Sequence, residues 1–466
     1  MSLTKTMDTV MGHNKEVSRT SGGASGRDVQ FWLALLYVLT FYVQPGGRIR
    51  VLGLIRFELL LGGTLVLLLI LTRAHRVITG EKINRAALVF FAAIGLSFIG
   101  ALMTHTVSDA IPVFIGLVKL FCIYLMILGT VDSEDKLEKY IWIYLFAMLI
   151  IVGEPFLLSL QGKNFRVGED GVVRLYGVGQ FEHPNGFGTL TATNLPFLYY
   201  LFFYYRSRLV KGFLLGYALI SLRVIMLTGS RTAYVGLLAV VMCLWIFSEH
   251  KLKFIAVAAL LAVLAIPFIP DMYKERFLSM KQVTEVVTAD ERVPTSIGGR
   301  WHLIKTGWKV FLDYPIFGCG LDSFRHAAQK YGVYAQSHNL LIQILTNTGL
   351  VGLSAFSYLI YTTFRVLRET RRNLIELGRT TTFMYCLNGA VSVFLLAELT
   401  TGLLAQHILV SNCWWIAAGA ALVSARIVSE TSATVEQEPR RPTRKARPAR
   451  PRPVRAVWNL APRSHE

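Results

Sequence analysis

The sequence has few acidic residues and few charges of any kind. Only 29 of its 466 residues are aspartate or glutamate, and charged residues make up 17% of the chain, whereas 53% are hydrophobic. A soluble globular domain is less apolar than this, and about a quarter of its residues carry a charge. The composition therefore excludes an ordinary soluble domain and predicts an integral membrane protein.

Cysteine clusters and common catalytic motifs are also missing. Four of the five cysteines lie in apolar runs and Cys319 stands alone in a polar stretch, which indicates neither a disulfide framework nor a metal cluster. The chain has no HExxH, Asp-x-Asp, CxxC or Walker motif, and Asp313 and Asp322 lack the spacing of metal ligands. We therefore expect chemistry that uses no metal ion and no cofactor.

Long apolar runs make up most of the chain, and several approach the roughly 20 residues that a spanning helix requires. They predict an all-α integral membrane protein with about twelve transmembrane helices and a large external loop between helices nine and ten. The predicted helices are 30–45, 51–71, 86–103, 111–131, 140–160, 186–204, 211–228, 232–247, 252–270, 339–367, 381–404 and 407–427.

Arginine and lysine gather in three connections between these runs. The connections are 73–85, 206–211 and 365–379. The positive-inside rule assigns them to the cytoplasm, and an even number of helices then puts both termini there. The net charge of +19 is thus a topology signal and not a nucleic-acid interface. Arg48, Arg50 and Arg56 break the pattern, so either the first hairpin is misassigned or they meet an external anion.

This orientation divides the chain into three parts. Residues 1–29 are a polar cytoplasmic leader without the features of a cleaved signal peptide, and residues 30–427 form the membrane domain. Residues 428–466 are a basic Arg/Pro-rich cytoplasmic tail, which is either a lipid-contacting or a merely solvated segment. The segments 161–185 and 271–338 are the external loops, where we expect the chemistry.

Arg231 stands in a short turn between two predicted helices, in the sequence Thr228-Gly-Ser-Arg-Thr-Ala. At the external interface, its planar guanidinium suits a two-pronged contact with phosphate. The same position fits an arginine that simply extends its charge towards the lipid headgroups. Arg231 is thus a candidate diphosphate ligand, with snorkelling as the open alternative.

Arg300 follows two glycines at the start of a predicted amphipathic helix that suits a position against the bilayer. Free backbone N–H groups and the helix dipole favour an anion at such a start. A second arginine there would complete a pyrophosphate clamp. A solvated arginine with no ligand is the alternative interpretation.

His338 lies where the larger external loop meets the next helix, in the sequence Ser337-His-Asn-Leu-Leu. A histidine, with an ordinary pKa of about 6.5, takes a proton from a sugar hydroxyl at neutral pH. His338 is therefore the candidate catalytic base, and Asn339 beside it is a candidate for positioning substrate. A structural histidine at a helix mouth is the alternative.

Further polar residues are candidates for positioning substrate. Glu182, His183 and Asn185 surround Pro184 at the end of the smaller external loop, although a helix-entry turn capped by Asn185 fits equally well. Arg223 and Glu398 lie within apolar runs, where an ionisable side chain is expected to be paired or functional. Either they pair with each other or Arg223 joins an anion site.

Three motifs resemble those of the O-antigen ligase and polysaccharide polymerase superfamily of bacterial envelope enzymes. They are Gly229-Ser-Arg-Thr232, then Gly299-Arg-Trp…Trp…Tyr-Pro-Ile-Phe-Gly-Cys-Gly320, and finally Ser337-His-Asn…Gln343…Gly349-Leu-Val-Gly-Leu. The resemblance spans most of the membrane region. The Arg/Pro tail after Arg426 is not part of the family core.

The resemblance implies a type C membrane glycosyltransferase in the bacterial inner membrane. Such an enzyme takes a glycan from undecaprenyl diphosphate on the periplasmic side and passes it to a lipid-linked or glycan acceptor, with inversion at the anomeric carbon and without a metal ion. By the same resemblance, Arg231 and Arg300 bind the diphosphate and His338 activates the acceptor hydroxyl. These assignments coincide with those from the residues alone.

Several alternatives stay open. A ligase and a polymerase share donor and mechanism and differ in acceptor, so these motifs do not separate them. A polysaccharide or lipid transporter, or a flippase, also has twelve helices with both termini inside, and Arg223 and Glu398 would suit a translocation path. Against it, the halves of the chain lack matching hydropathy, and the loop between helices nine and ten has no counterpart between helices three and four.

Overall fold

A computed structural model of the protein describes residues 24–71, 82–168, 172–248, 251–256, 259, 297–403 and 412–437. In these ranges the chain is almost entirely helical. The helices are α1 (Ala24–Val43), α2 (Pro45–Arg48), α3 (Arg50–Leu54), α4 (Phe57–Leu71), α5 (Lys82–Met103), α6 (Val107–Thr130), α7 (Glu134–Leu160), α8 (Pro184–Tyr204), α9 (Arg208–Leu227), α10 (Arg231–Phe247), α11 (Ile297–Asp313), α12 (Phe324–Ala327), α13 (Leu340–Glu376), α14 (Phe383–Gly402) and α15 (Asn412–Gln437).

Six helices of the described chain are long and apolar enough to cross a membrane, namely α5, α6, α7, α9, α13 and α14. Their surfaces carry exposed large apolar side chains, among them Leu88, Leu102 and Leu219, as a lipid-facing surface requires. The predicted class, a helical multi-pass membrane protein, is confirmed. The number twelve stays a prediction, because the ninth predicted helix, 252–270, lies mostly outside the described residues, as do residues 271–296 of the loop that follows it.

The segment 161–185, predicted as the smaller external loop, contains a short antiparallel hairpin that the all-helical prediction did not include. Strands β1 (Phe165–Val167) and β2 (Val173–Leu175) pair with Arg166 opposite Arg174. A 3-10 turn, Gly179–Phe181, then leads into α8. The hairpin thus fills much of the predicted loop 161–185.

Small residues let α8, α10 and α14 pack closely. A β-carbon on Gly188 of α8 would lie 2.7 Å from Cβ of Ala233 on α10, and one on Gly236 of α10 would lie 2.9 Å from Cγ2 of Thr401 on α14. Close backbone approach through small residues is a common way of joining helices within a membrane. It brings the beginning of α8, the beginning of α10 and the end of α14 together.

The ends of the helices form two distinct surfaces. The first, called the site end here, contains the starts of α6, α8, α10 and α13 and the ends of α5, α7, α9 and α14. The opposite surface, called the basic end, is rich in arginine and lysine. At the basic end Arg426 of α15 donates to the carbonyl oxygens of Leu128 and Val131, and Lys82 pairs with Glu369.

The three arginines that broke the charge pattern lie just beyond α1, at the site end. Arg48 pairs with Glu154 of α7 at 2.6 Å, and its Nε donates to the carbonyl oxygen of Val43 at 2.8 Å. Arg48 therefore has partners within the protein. An intramolecular ion pair accounts for its place without an external anion.

Helix α13 is broken at Gly349, which has φ 63° and ψ −163°. The break separates a half-helix, 340–348, from a longer half, 350–376, whereas the sequence predicted one continuous helix over 339–367. The segment 314–320, called the crossing loop here, runs past the break. Its Cys319 N–H donates to the carbonyl oxygen of Thr346 at 2.8 Å, and the Leu350 N–H donates to that of Pro315 at 2.9 Å.

Glycine is required where the crossing loop passes between α5 and α13. A β-carbon on Gly349 would lie 2.2 Å from the carbonyl oxygen of Ile316, and one on Gly318 would lie 2.3 Å from the backbone of Asn347. Both glycines also have positive φ. The Tyr-Pro-Ile-Phe-Gly-Cys-Gly motif and Gly349 thus fit each other and fix the half-helix 340–348 in place.

Candidate functional site

The turn before α10 places Arg231 at the first position of that helix. Gly229 has φ 55°, Ser230 accepts from the N–H of Ala233 at 3.2 Å as the N-cap, and Thr228 Oγ1 accepts from the N–H of Ser230 at 3.3 Å. The neighbours of Arg231 therefore shape the turn. The guanidinium is half-buried and projects from a helix N-terminus, where the helix dipole favours negative charge.

The entry to α13 exposes His338. This histidine has a left-handed backbone, φ 46°, and lies between buried Ser337 and the N-cap Asn339. Asn339 uses both ends of its amide: Oδ1 accepts from the N–H of Ile342 at 3.0 Å, and Nδ2 donates to the carbonyl oxygen of Leu403 at 2.6 Å. His338 is thus held on the site end by its neighbour.

The turn into α8 agrees in part with the predicted helix-entry turn. His183, not Asn185, is the N-cap: its Nδ1 accepts from the N–H of Asn185 at 3.2 Å. Glu182 is exposed and forms an ion pair with Arg166 of the hairpin. These contacts give the three residues structural partners, and their predicted role in positioning substrate stays a prediction.

The buried carboxylate Glu398 lies on α14 and accepts a hydrogen bond from Thr193 Oγ1 on α8 at 2.6 Å. Arg223 lies one turn before the end of α9, half-buried. Both residues therefore lie one turn from the site end of their helices.

Arg300 is the fourth residue of α11, the helix that the sequence predicted to be amphipathic. In the rest of α11, one face buries Leu303, Thr306 and Val310, while Trp301 and Trp308 on the other face are exposed. Gly307 approaches Ile342 closely, with a β-carbon distance of 2.2 Å, so α11 lies against the half-helix 340–348. The backbone of Arg300 thus begins a helix that contacts the one following His338.

Sequence reasoning missed a polar cluster on the same end. His326 Nε2 lies 2.8 Å from Asp109 Oδ2 at the start of α6, and Arg325 lies 3.7 Å from the same carboxylate oxygen. Gln336 Nε2 donates to Asp322 Oδ1 at 2.7 Å. The signal available was the density of polar residues between Asp322 and Gln336, but their partner Asp109 is more than 200 residues away in the sequence.

Two amide oxygens near His338 are buried and, within the described chain, accept no hydrogen bond. They belong to Gln343 and Asn347. With Asn339, these residues follow one another at intervals of four along the half-helix 340–348, so they share a face. Amide groups are suitable partners for sugar hydroxyls, and this row begins directly beside His338.

Titratable groups around α11 have partners that favour their usual charge states. Burial opposes ionisation of Asp313, but hydrogen bonds from Lys330 and Tyr331 outweigh it, so the pKa of Asp313 lies below its ordinary value. Burial raises the pKa of Cys319 to about 12, which keeps it a thiol at neutral pH. Cys319 is buried within the crossing loop.

Where the chain is described, no group of three or more His, Cys, Asp or Glu residues has the arrangement of a metal site. The use of no metal ion stays a prediction. Arg231 begins α10, and His338 immediately precedes the N-cap of α13. Both helices contact the end of α14, through Thr401 and Leu403.

The apolar helices of the described residues define a multi-pass membrane protein, and comparison with known sequences shows what the chain is similar to. Residues 216–357, from α9 to the middle of α13, match the sequence model of the O-antigen ligase family. The chain is 26% identical over 293 residues to the teichuronic acid biosynthesis protein TuaE of Bacillus subtilis (strain 168), which is 59% of this chain and 60% of that relative.

The matched part of TuaE is less than two thirds of its length. The two matches confirm the predicted resemblance to the O-antigen ligase and polysaccharide polymerase superfamily. The family match contains Arg223, Arg231, Arg300 and His338. Glu182, His183 and Asn185 precede it.

Proposed function

We propose that the protein is a membrane glycosyltransferase of bacterial surface polysaccharide biosynthesis. It transfers a glycan from an undecaprenyl diphosphate donor to a lipid-linked or glycan acceptor at the external face of the inner membrane. The proposal rests on the contacts by which α10, which begins at Arg231, and α13, which follows His338, are both linked to α14. Gly236 of α10 packs on Thr401 of α14, and two residues later Leu403 accepts from Asn339, the neighbour of His338.

Arg231 and Arg300 are the proposed diphosphate ligands. Each lies in the first turn of a helix, where unpaired backbone N–H groups and the dipole already attract an anion. A guanidinium adds a charge-assisted, two-pronged hydrogen bond to phosphate oxygens. The arrangement stabilises the negative charge that builds on the departing diphosphate.

His338 is the proposed base, because it is exposed at the site end and an imidazole is partly neutral at physiological pH. It accepts the proton of the acceptor hydroxyl while that oxygen attacks the anomeric carbon. The bond from this carbon to the diphosphate oxygen breaks, and undecaprenyl diphosphate leaves with the electron pair. A single displacement inverts the anomeric carbon, and no step requires a metal ion.

The remaining candidates would position the substrates. Asn339 fixes His338 through its two hydrogen bonds, and Gln343 and Asn347 offer free acceptor oxygens to sugar hydroxyls. The His183 and Asn185 turn, with Glu182 beside it, borders the start of α8. Arg223 supplies further positive charge to the same outer region.

The positive-inside rule supports a cytoplasmic basic end, with both termini inside and the site end facing the periplasm. The basic end contains Arg365, Arg372 and Lys139, whose ion pairs lie within their own helices. Accessibility of single cysteines, introduced at Gln161 or Arg379 in a variant whose five native cysteines are replaced by alanine, to a membrane-impermeant maleimide tests this orientation. Labelling from outside is expected only at residue 161.

The proposal is tested with purified protein in liposomes that contain an undecaprenyl diphosphate-linked glycan and candidate acceptors. Release of undecaprenyl diphosphate and growth of product are measured for the wild type, His338→Ala and Arg231→Ala. His105→Ala is a matched control, because His105 is also exposed, lies on the same end and has a positive φ of 56°. A chelator arm tests metal dependence.

We expect the wild type and His105→Ala to transfer glycan and the other two variants to lose transfer while remaining folded. Product length then separates a polymerase from a ligase. Equal transfer by wild type and His338→Ala would refute the assigned base. Lipid movement across the bilayer without transfer to any acceptor would favour the transporter or flippase.

A further inference from the structure

An apolar groove of about 580 Å³ runs between α5 and the longer half of α13. Its floor contains small side chains, among them Ala93 and Ala355, and its rims carry exposed larger ones such as Leu96 and Leu350. The volume lies within the range of ordinary ligand pockets. Because its rims are exposed on the outer surface of the bundle, the groove opens towards the lipid.

The groove lies directly below the crossing loop. On α13 it extends from Leu350 to Tyr358, about 12 Å at 1.5 Å per residue. At its upper end, the N–H groups of Leu350 and Val351 donate to the carbonyl oxygens of Pro315 and Ile316. The groove thus ends where the backbone of the external segment begins.

Above the groove, apolar exposure continues onto α11. Ile316, Leu312 and Trp308 are exposed and lead from the top of the groove along that helix. Lys305 and Lys309 are exposed on the same helix, with Lys305 over the ring of Trp301 at 5.7 Å. An apolar groove that continues onto a helix with exposed lysines is complementary to a lipid whose anionic headgroup lies at the interface.

We propose that this groove holds the tail of the acceptor, a polyisoprenyl diphosphate-linked glycan, an assignment that rests on the proposed function. The small side chains of the floor leave space for the methyl branches of such a chain. Its diphosphate lies beside Lys305 and Lys309 of α11, which runs above the groove along the half-helix 340–348. The glycan then extends towards His338, at the start of that half-helix.

The acceptor tail and Arg231 thus lie on different sides of the bundle, whereas Arg300, the second proposed donor ligand, lies on the same helix as Lys305 and Lys309. Arg231 begins α10, which packs on α8 and α14. The groove belongs to α5 and α13. The half-helix 340–348 joins the two regions, since Asn339 contacts Leu403 of α14 and the Gly320 N–H donates to Asn347 close to Ala101 of α5.

Filling the groove tests its role without touching the proposed site. Ser354 lines the groove and is exposed, whereas Ser357, three residues later on α13, is exposed but does not line it. We expect Ser354→Phe to raise the KM for the acceptor about tenfold, with the KM for the donor and the kcat close to wild type. Ser357→Phe, the matched control, is expected to leave all three values unchanged.

A binding experiment separates this inference from the proposed function. A polyisoprenyl diphosphate with a photoreactive group on an isoprene close to the diphosphate is irradiated with His338→Ala protein, in which transfer is not required. Labelled peptides containing residues 89–96 and 350–358 are expected, with at least fivefold less labelling in Ser354→Phe. An acyl-chain lipid with the same photoreactive group is expected to label them weakly.

Each result has a defined meaning. Labelling of the groove with no transfer activity in the wild type would retain the lipid site and refute the glycosyltransferase. Transfer by the wild type with an unchanged acceptor KM in Ser354→Phe would retain the enzyme and refute the groove. A raised donor KM alone, or equal labelling by the acyl-chain lipid, would also overturn the acceptor assignment.

Discussion

Asn339 and Leu403 connect two helices that are distant in sequence: Nδ2 of Asn339 donates to the carbonyl oxygen of Leu403 at 2.6 Å. The same side chain caps α13 through the N–H of Ile342. One amide therefore fixes the start of the half-helix that follows His338 and also satisfies a carbonyl at the end of α14. The position of the proposed base depends on this pair.

Replacing Asn339 with Ala removes both hydrogen bonds. Loss of an N-cap costs about 0.5–2 kcal/mol, and the unsatisfied carbonyl adds a similar amount. We expect a lower thermal midpoint and a fall in kcat greater than the rise in KM. Asn339→Asp keeps the cap but not the donor, so it should recover part of the stability. Wild-type kcat in Asn339→Ala would show that the tie does not position His338.

Arg231→Lys keeps the charge but removes the planar fork. A lysine ammonium makes one point contact where a guanidinium makes two parallel ones. We expect transfer to fall by at least tenfold while the protein remains folded, with Arg231→Ala lower still. The measurement is release of undecaprenyl diphosphate at saturating acceptor. If lysine restores full activity, charge alone is sufficient at this position.

Gly349→Ala should disrupt the break in α13. The residue has φ 63°, and a β-carbon there would lie 2.2 Å from the carbonyl oxygen of Ile316, a backbone atom that cannot rotate away. A large destabilisation, of about 2 kcal/mol or more, is expected in the thermal unfolding of the detergent-solubilised protein. Gly95→Ala on α5 is the control, since nothing lies within 4 Å of its β-carbon. Equal stability of the two variants would contradict the strained geometry.

The contact of Asp313 with Lys330 and Tyr331 should resist mild acid. These hydrogen bonds lower the pKa of Asp313 in the folded protein, so their contribution is complete above the unfolded carboxyl pKa, about 3.9, and is lost as the pH falls through the lower folded value. We expect Asp313→Asn to reduce the hydrogen-exchange protection at the end of α11 equally at pH 7 and pH 5. A difference that has already vanished at pH 5 would show that the carboxylate is not held in this way.

The sequence alone predicts the helices well and their contacts poorly. Apolar runs place α5 to α10 within a few residues, because a helix must satisfy its own backbone in a bilayer. The break at Gly349 was missed, since apolar residues stand on both sides of Asn347-Thr-Gly and the partner of Gly349, the crossing loop, lies about 30 residues earlier.

In the candidate site, too, local features were predicted from the sequence and contacts between distant residues were not. The turn at Arg231 and the exposed entry at His338 follow from local patterns of glycine, serine and asparagine. Glu182 was predicted to face substrate, yet its ion pair with Arg166 depends on the hairpin, which the all-helical interpretation did not contain. Pairing across the chain, as between Asp109 and His326, is set by packing that no local pattern shows.

The crossing loop also imposes an order on biosynthesis. Cys319 and Gly320 donate to the carbonyl oxygens of Thr346 and Asn347, and Gly100 of α5 leaves room for the backbone of Gly318. The loop emerges from the ribosome before α13 and finds these acceptors only after α13 has been inserted. A nascent chain that ends before residue 350 therefore has a crossing loop that is not yet seated, so this part of the fold forms only late in synthesis.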